Sequence, residues 1–255
     1  SALDPSQEPE AQVFPENEYE DFLAGFFRYP NPEMVYAFAR QEEEALSAHA
    51  VREAVRFLFD SGNYLHSLRL FRILEVRPDY EFTVSDLELK YPLAYTHEIR
   101  NASQEYTLPL SLFMGLVRQE SGFESEIQSR AGATGLAQLM PSTAGDVAQR
   151  MGIEEIDLTN PAQNLAMGAY YLSNLYRSTG IWAKSLMGYN AGPGRVRRWN
   201  NRFGNLPIEL FIEAVPITET RNYVKYVLAG AAIYGYLYPE VEHHPIRVFL
   251  AAVDN

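Results

Sequence analysis

Thr107-Leu-Pro-Leu-Ser-Leu-Phe-Met-Gly-Leu-Val-Arg-Gln-Glu-Ser-Gly-Phe123 holds the pattern from which the rest of the chain is read. Thr107 can cap a helix and Pro109 fits its first turn. Leu110, Phe113, Met114 and Val117 fall at i, i+3, i+4 and i+7 and define a buried stripe. The next stripe position is Glu120, and Gly122 ends the helix. A carboxylate therefore lies on an apolar face at the helix C-terminus, where the macrodipole is negative. Desolvation and the dipole both disfavour its ionised form and push its pKa upward. Each pKa unit is worth about 1.4 kcal/mol, so such placement points to function. Terminal glutamates commonly just reach water, and placement alone leaves that reading open. Glu124 and Glu126, in the polar loop beyond, are read that way.

Downstream comes Ser129-Arg-Ala-Gly-Ala-Thr-Gly-Leu-Ala-Gln-Leu-Met-Pro141. Gly132 and Gly135 suggest turns or close backbone approach, with Leu136, Leu139 and Met140 partly buried. Gln138 among them suits a sugar hydroxyl or acetamido group, though an amide so placed also serves structure alone. Asn160-Pro161 starts a long helix that ends near Gly180, and another carries Trp182, Leu186 and Tyr189 before breaking at Asn190-Ala-Gly-Pro-Gly194. That glycine pair follows a helix and lacks the Walker lysine pattern, so it is no phosphate loop. Arg195, Arg197, Arg198 and Arg202 beyond it read as a basic face, solvated or anion-binding. Thr218 can cap a last helix in which Tyr223, Tyr226, Val227 and Tyr234 recur at helical spacing.

Upstream, charge is uneven. Residues 1–105 carry a net −11 and residues 106–255 a net −1, together the chain's −12. The first 21 residues hold Asp4, Glu8, Glu10, Glu16, Glu18, Glu20 and Asp21 with no basic residue, and read as a solvated or loosely docked acidic arm to which no fold is assigned. From Asn31 to about Asp86 short amphipathic helices follow in pairs: one opened by Pro32, one ending at Ser61-Gly62, one through Leu65, Leu68, Leu70, Phe71 and Leu74. Helices this short must stack, which suggests a fragment of α-solenoid. Pro78 to Asp86, then Tyr91-Pro92, marks the expected hinge. The expected divisions are 1–30 acidic arm, 31–90 solenoid-like region, 91–240 catalytic domain and 241–255 tail.

Composition closes off several classes. At 47% hydrophobic and 21% charged, the 255 residues make a folded chain with a real core. The net −12 disfavours a nucleic-acid partner. The absence of cysteine excludes disulfides, thiol nucleophiles and thiolate metal sites. Val227 to Tyr238, the longest apolar run, is too short and too rich in Tyr and Gly for a transmembrane segment. No signal peptide opens the chain, which leaves its compartment open. His49, His66, His97, His243 and His244 show no HExxH spacing, and there is no GxSxG elbow or dinucleotide fingerprint, so neither metal nor cofactor is expected.

Four ordered segments, Glu120-Ser-Gly-Phe, Gly135-Leu-Ala-Gln-Leu-Met-Pro141, Tyr189-Asn-Ala-Gly-Pro-Gly-Arg-Val196, and Glu213-Ala-Val-Pro with Glu219-Thr-Arg-Asn-Tyr-Val224, resemble the soluble lytic transglycosylases. The likeness runs from about Tyr91 to Leu237. It departs from the family at Ala137, where methionine is usual, and in the brevity of the helical part, so no ring-mediated hold on the glycan is implied. The resemblance implies a mostly α fold: a lysozyme-like catalytic domain of the α+β lysozyme superfamily, preceded by a short α-superhelical region. It implies cleavage of the β-1,4 bond between N-acetylmuramic acid and N-acetylglucosamine in peptidoglycan glycan strands, with Glu120 as sole acid and base and 1,6-anhydro ends as product. By the same resemblance Ser129 and Gln138 bind sugar groups, Met140 walls the groove and Tyr189-Asn190 line the cleavage site. Glu213 holds saccharide or stem peptide, and Tyr223 lies near Glu120. The substrate places the protein in the periplasm or cell envelope, where the helical region could recruit envelope protein partners. Two alternatives stay open: a hydrolytic muramidase on the same fold, with Glu213 or Glu219 as a base for water, and a non-catalytic glycan-binding scaffold.

Overall fold

The computed structural model describes residues 15–251, and the chain divides into two compact units, residues 1–94 and 95–255. The early acidic residues Asp4, Glu8 and Glu10 lie outside the described residues. Those nearer the first unit do not form an arm. Helix α1, Glu18–Arg28, is capped by Asn17, whose side chain accepts from the amides of Tyr19 and Glu20. Glu18, Glu20 and Asp21 thus occupy a first turn, where the helix dipole favours acids. Glu20 is fully buried and accepts from the amides of Glu16 (2.8 Å) and Ser47 (3.0 Å). Burial pushes its pKa up, but these amides outweigh it and the pKa ends lowered.

Helices α2 (Pro32–Gln41), α3 (Ala48–Asp60) and α4 (Tyr64–Leu74) follow, and α4 packs on α3 after the turn at Gly62, φ 75°. Asn31 caps α2 ahead of Pro32. The core of this unit joins Leu23, Val35, Val51, Leu58, Leu70 and Phe71. The expected hinge from Pro78 to Asp86 belongs to that core instead. Tyr80 and Phe82 pack against it, and Asp86, at the start of the short α5 (Ser85–Lys90), is fully buried in an ion pair with Arg52 at 2.9 Å.

The second unit contains α6 (Thr96–Glu105), α7 (Leu110–Ser121), α8 (Pro141–Met151), α9 (Pro161–Thr179), α10 (Trp182–Ala191), α11 (Pro193–Phe203), α12 (Ile208–Ala214), α13 (Thr218–Leu237) and α14 (Ile246–Leu250). The β component is reduced, among the described residues, to isolated bridges Gln128–Thr134 and Thr134–Leu139. Helix α7 is buried on more than one stripe: Ser111, Leu112, Gly115 and Leu116 are inside as well as Phe113, Met114 and Val117. It packs along α13, and a Cβ on Gly115 would stand 2.7 Å from the Val227 carbonyl. Thr107 does not cap it. That residue has φ 57° and closes α6, and the cap position of α7 falls to Pro109. Thr218 likewise begins α13 rather than capping it, and Ile217 precedes it at the cap. Residues 241–251 are no loose tail: Val241 and Phe249 are buried, and α14 packs on α10 and α13. Residues 252–255 lie outside the described part. No helix among the described residues is long and apolar enough to cross a membrane.

Candidate active site

Glu120 occupies the last turn of α7. Gly122 (φ 59°) and Phe123 (φ 67°) then turn the chain sharply in two successive left-handed residues. Phe123 is buried, and its amide donates to the Ser121 hydroxyl, which donates in turn to the Val117 carbonyl. Strain of this kind persists where the surroundings over-determine it, and here it holds the backbone behind the glutamate.

The glutamate is half-buried: it lines a cavity of about 330 Å³, and protein packs closely around its carboxyl. The Tyr223 hydroxyl donates to Oε1 at 2.6 Å. Burial raises the Glu120 pKa to about 7; the Tyr223 bond pulls against that shift and the negative charge of Glu219 adds to it. The phenols of Tyr223 and Tyr189 are pushed well above 10, first by burial and then by the charge of Glu120. Both therefore remain donors across the working pH range.

The cavity gathers Asn190, Tyr223, Glu219 and Tyr226 around Glu120, with Gln119 and Asn222 completing the wall. Asn190 is held by Thr220, a fully buried hydroxyl that donates to its Oδ1 at 2.6 Å. Tyr189 donates to the Ala137 carbonyl at 2.8 Å, tying α10 to the loop before α8. Asn164, fully buried, organises that loop. Its Oδ1 accepts from the Ala137 amide at 2.7 Å, and its Nδ2 donates to the carbonyls of Thr134 and Leu158. Gly135, φ 81°, leaves room for this: a Cβ there would stand 2.1 Å from the Leu158 carbonyl.

The other expected site residues are placed less directly. Gln138 sits in the left-handed region, φ 46°, and its Nε2 donates to the carbonyls of Ile127 and Gly135, so that end of the amide is structural. Ser129 accepts from the Ala133 amide at 3.0 Å. Met140 is 39% exposed. Glu213 stands apart from the wall of the Glu120 cavity, exposed and paired with Lys225 at 2.6 Å, which holds its carboxyl below the usual range. Pattern reading missed Gln119, Asn222 and Thr220. It also treated Tyr226 as one of a helical series, whereas that ring is 59% exposed on the cavity wall. The available signal was its spacing of three from Tyr223 on one helix face.

Residues 97–212 match the family model described as the transglycosylase SLT domain. The chain is 38% identical over 158 residues to the soluble lytic murein transglycosylase of Escherichia coli K12, a match covering 59% of this chain and 24% of that protein. An inactive Glu-to-Gln mutant of lytic transglycosylase Slt from Pseudomonas aeruginosa superposes with a TM-score of 0.76 at 29% identity, covering 91% of this chain and 37% of that one. The 70 kDa soluble lytic transglycosylase of Escherichia coli superposes with a TM-score of 0.74 at 26% identity, over 98% of this chain and 40% of the other. The chain thus spans less than half the length of these relatives. Likeness of sequence and of fold converges: residues 97–212 match the transglycosylase SLT domain, and the chain is similar to SLT-type lytic transglycosylases.

Proposed function

We propose that this protein is a peptidoglycan lytic transglycosylase in which Glu120 acts alone as acid and then as base. The observation that carries the reading is a glutamate lining a cavity, its pKa raised to about 7 and a tyrosine hydroxyl 2.6 Å from its carboxyl. At that pKa both protonation states are populated near neutrality, as a group that first gives and then takes a proton requires. Protonated Glu120 donates to the glycosidic oxygen while the C1–O bond breaks. The muramic 6-hydroxyl attacks C1 and passes its proton to the carboxylate, closing a 1,6-anhydro ring and restoring the acid. Water does not enter, and an intramolecular nucleophile needs no second carboxylate. A single Glu-to-Gln change accompanies inactivity in the Pseudomonas aeruginosa relative, which agrees with one essential glutamate.

Asn190 is the polar wall of the cleavage site, with Tyr189 holding the loop below it. Ser129, Gln138 and Met140 extend the groove, and Glu213 meets substrate at its margin. The substrate places the protein in the periplasm or envelope, and the first unit offers a surface for envelope partners.

A second reading has one observation behind it: Glu219 lines the same cavity as Glu120, where a base for water would stand in a hydrolase. Mass spectrometry of digested sacculi separates the two. Anhydro-muropeptides, lighter by one water than hydrolysis products, are expected. Hydrolysed ends that vanish in Glu219→Gln would establish the muramidase instead.

A further inference from the structure

At the opposite end of α7 lies a cavity of about 620 Å³, nearly twice the volume of the one at Glu120. Leu110 borders it, so at 1.5 Å per residue it sits about 15 Å along the helix from the glutamate. Ser103 lines this cavity, yet its hydroxyl is buried with no hydrogen-bond partner in the protein. Buried hydroxyls are nearly always paired, so this one is an unsatisfied polar group in the floor of the cavity.

The rim is built at a cost to the backbone. The Leu108 amide donates to the Ser103 carbonyl and the Thr107 amide to that of Gln104, which closes α6 with Thr107 in the left-handed position that glycine normally fills. A β-branched residue there is strained. It puts an exposed hydroxyl at the cavity mouth, which glycine would not.

Half-buried Tyr176 and buried Trp182 stack at 3.7 Å and 6°, and this aromatic pair borders the cavity. Arg100 donates to the Glu240 carbonyl, at 3.5 Å, and enters no ion pair among the described residues. Gln104, Glu240 and Glu242 add donors and acceptors beside it, Glu242 with His244 at 3.6 Å. An anion here would meet two carboxylates and a cation would meet the guanidinium. An uncharged, hydroxyl-rich molecule with one apolar ring face satisfies all of them.

We propose that this cavity is a second saccharide site, taking one or two N-acetylated sugar rings. That these belong to the strand being cleaved rests on the function proposed above. A second hold on one polymer raises its local concentration at Glu120 without altering the chemistry there.

The test uses the full chain carrying Glu120→Gln, titrated with tri-N-acetylchitotriose. The chain has two tryptophans, so Trp199→Phe leaves Trp182 as the sole emitter. If that variant fails to fold, fluorine NMR of 5-fluorotryptophan protein resolves the two. Calorimetry should report two sites, and the Trp182 signal should saturate with one of them. Arg100→Ala with Gln104→Ala should weaken the Trp182-linked event at least tenfold and leave the other unchanged. Thr107→Gly should weaken it too while raising Tm. One site only, or a Trp182 signal indifferent to Arg100 and Gln104, overturns the proposal, as does a response to a free stem tetrapeptide and not to the saccharide. In the wild-type chain the same pair should raise KM on sacculi and leave kcat unchanged. Cleavage that persists with no second site defeats this inference alone, whereas Trp182-linked binding without any cleavage defeats only the catalytic reading.

Discussion

Glu120 combines two demands that the surrounding residues set against each other. Burial favours its acid form, the Tyr223 hydroxyl favours the carboxylate, and the balance stands at about 7. Glu120→Gln is expected to lower the rate of muropeptide release from sacculi by about a hundredfold or more. It should also change stability with a definite sign. The native carboxyl titrates near 7 against 4.5 for an unperturbed one, so between those values the folded state binds the extra proton and wild-type stability falls as pH rises. The glutamine carries no such penalty. The variant should therefore gain on wild type by up to about 3 kcal/mol from pH 4.5 to pH 8. Denaturation curves at the two pH values check this; equal differences at both would contradict the buried acid. Activity of the wild type should decline as pH passes about 7, because the acid form starts the reaction. Tyr223→Phe removes the donor that holds the pKa down, so the alkaline limb should move to higher pH in a rate profile. A limb unmoved or shifted to lower pH would show that the bond does not set it.

At the level of elements, α7 and α13 do most of the positioning. One brings Glu120 and the other Tyr223, and Gly115 lets the two backbones approach. Gly115→Ala must push α13 away or strain α7, and overpacking of this kind costs about 1–3 kcal/mol. A fall in Tm together with a longer Tyr223–Glu120 contact, seen as an alkaline shift in the rate profile, is the expected result. The helices themselves were legible from spacing and caps: Asn31-Pro32, Asn160-Pro161 and Gly180 do what such residues do anywhere. The misread points were threonines. Thr107 and Thr218 fit a cap by type, but a side chain's type does not say whether it closes the preceding helix or opens the next.

Across the whole molecule, the division after Ala94 separates two bodies with their own cores. A fragment of residues 95–255 is expected to unfold cooperatively and to release anhydro-muropeptides that depend on Glu120, measured by thermal melting and product mass. Loss of cooperative melting would show that the second unit needs the first. The motif order along the chain, from Glu120 through Asn190 to Tyr223, already carried the resemblance to the soluble lytic transglycosylases, and helical spacing put a carboxyl on the apolar stripe of α7, because side-chain chemistry and helical period are local properties. The early acids could not be placed that way. Their charge reads as solvated, and only the amides of Glu16 and Ser47 meeting Glu20 show that one of them is buried. The same holds for Thr220 behind Asn190, for Tyr226 on the cavity wall and for the cavity at the far end of α7. Each depends on which residues distant in the chain arrive at one place, and that is decided by packing between helices, which no single segment encodes.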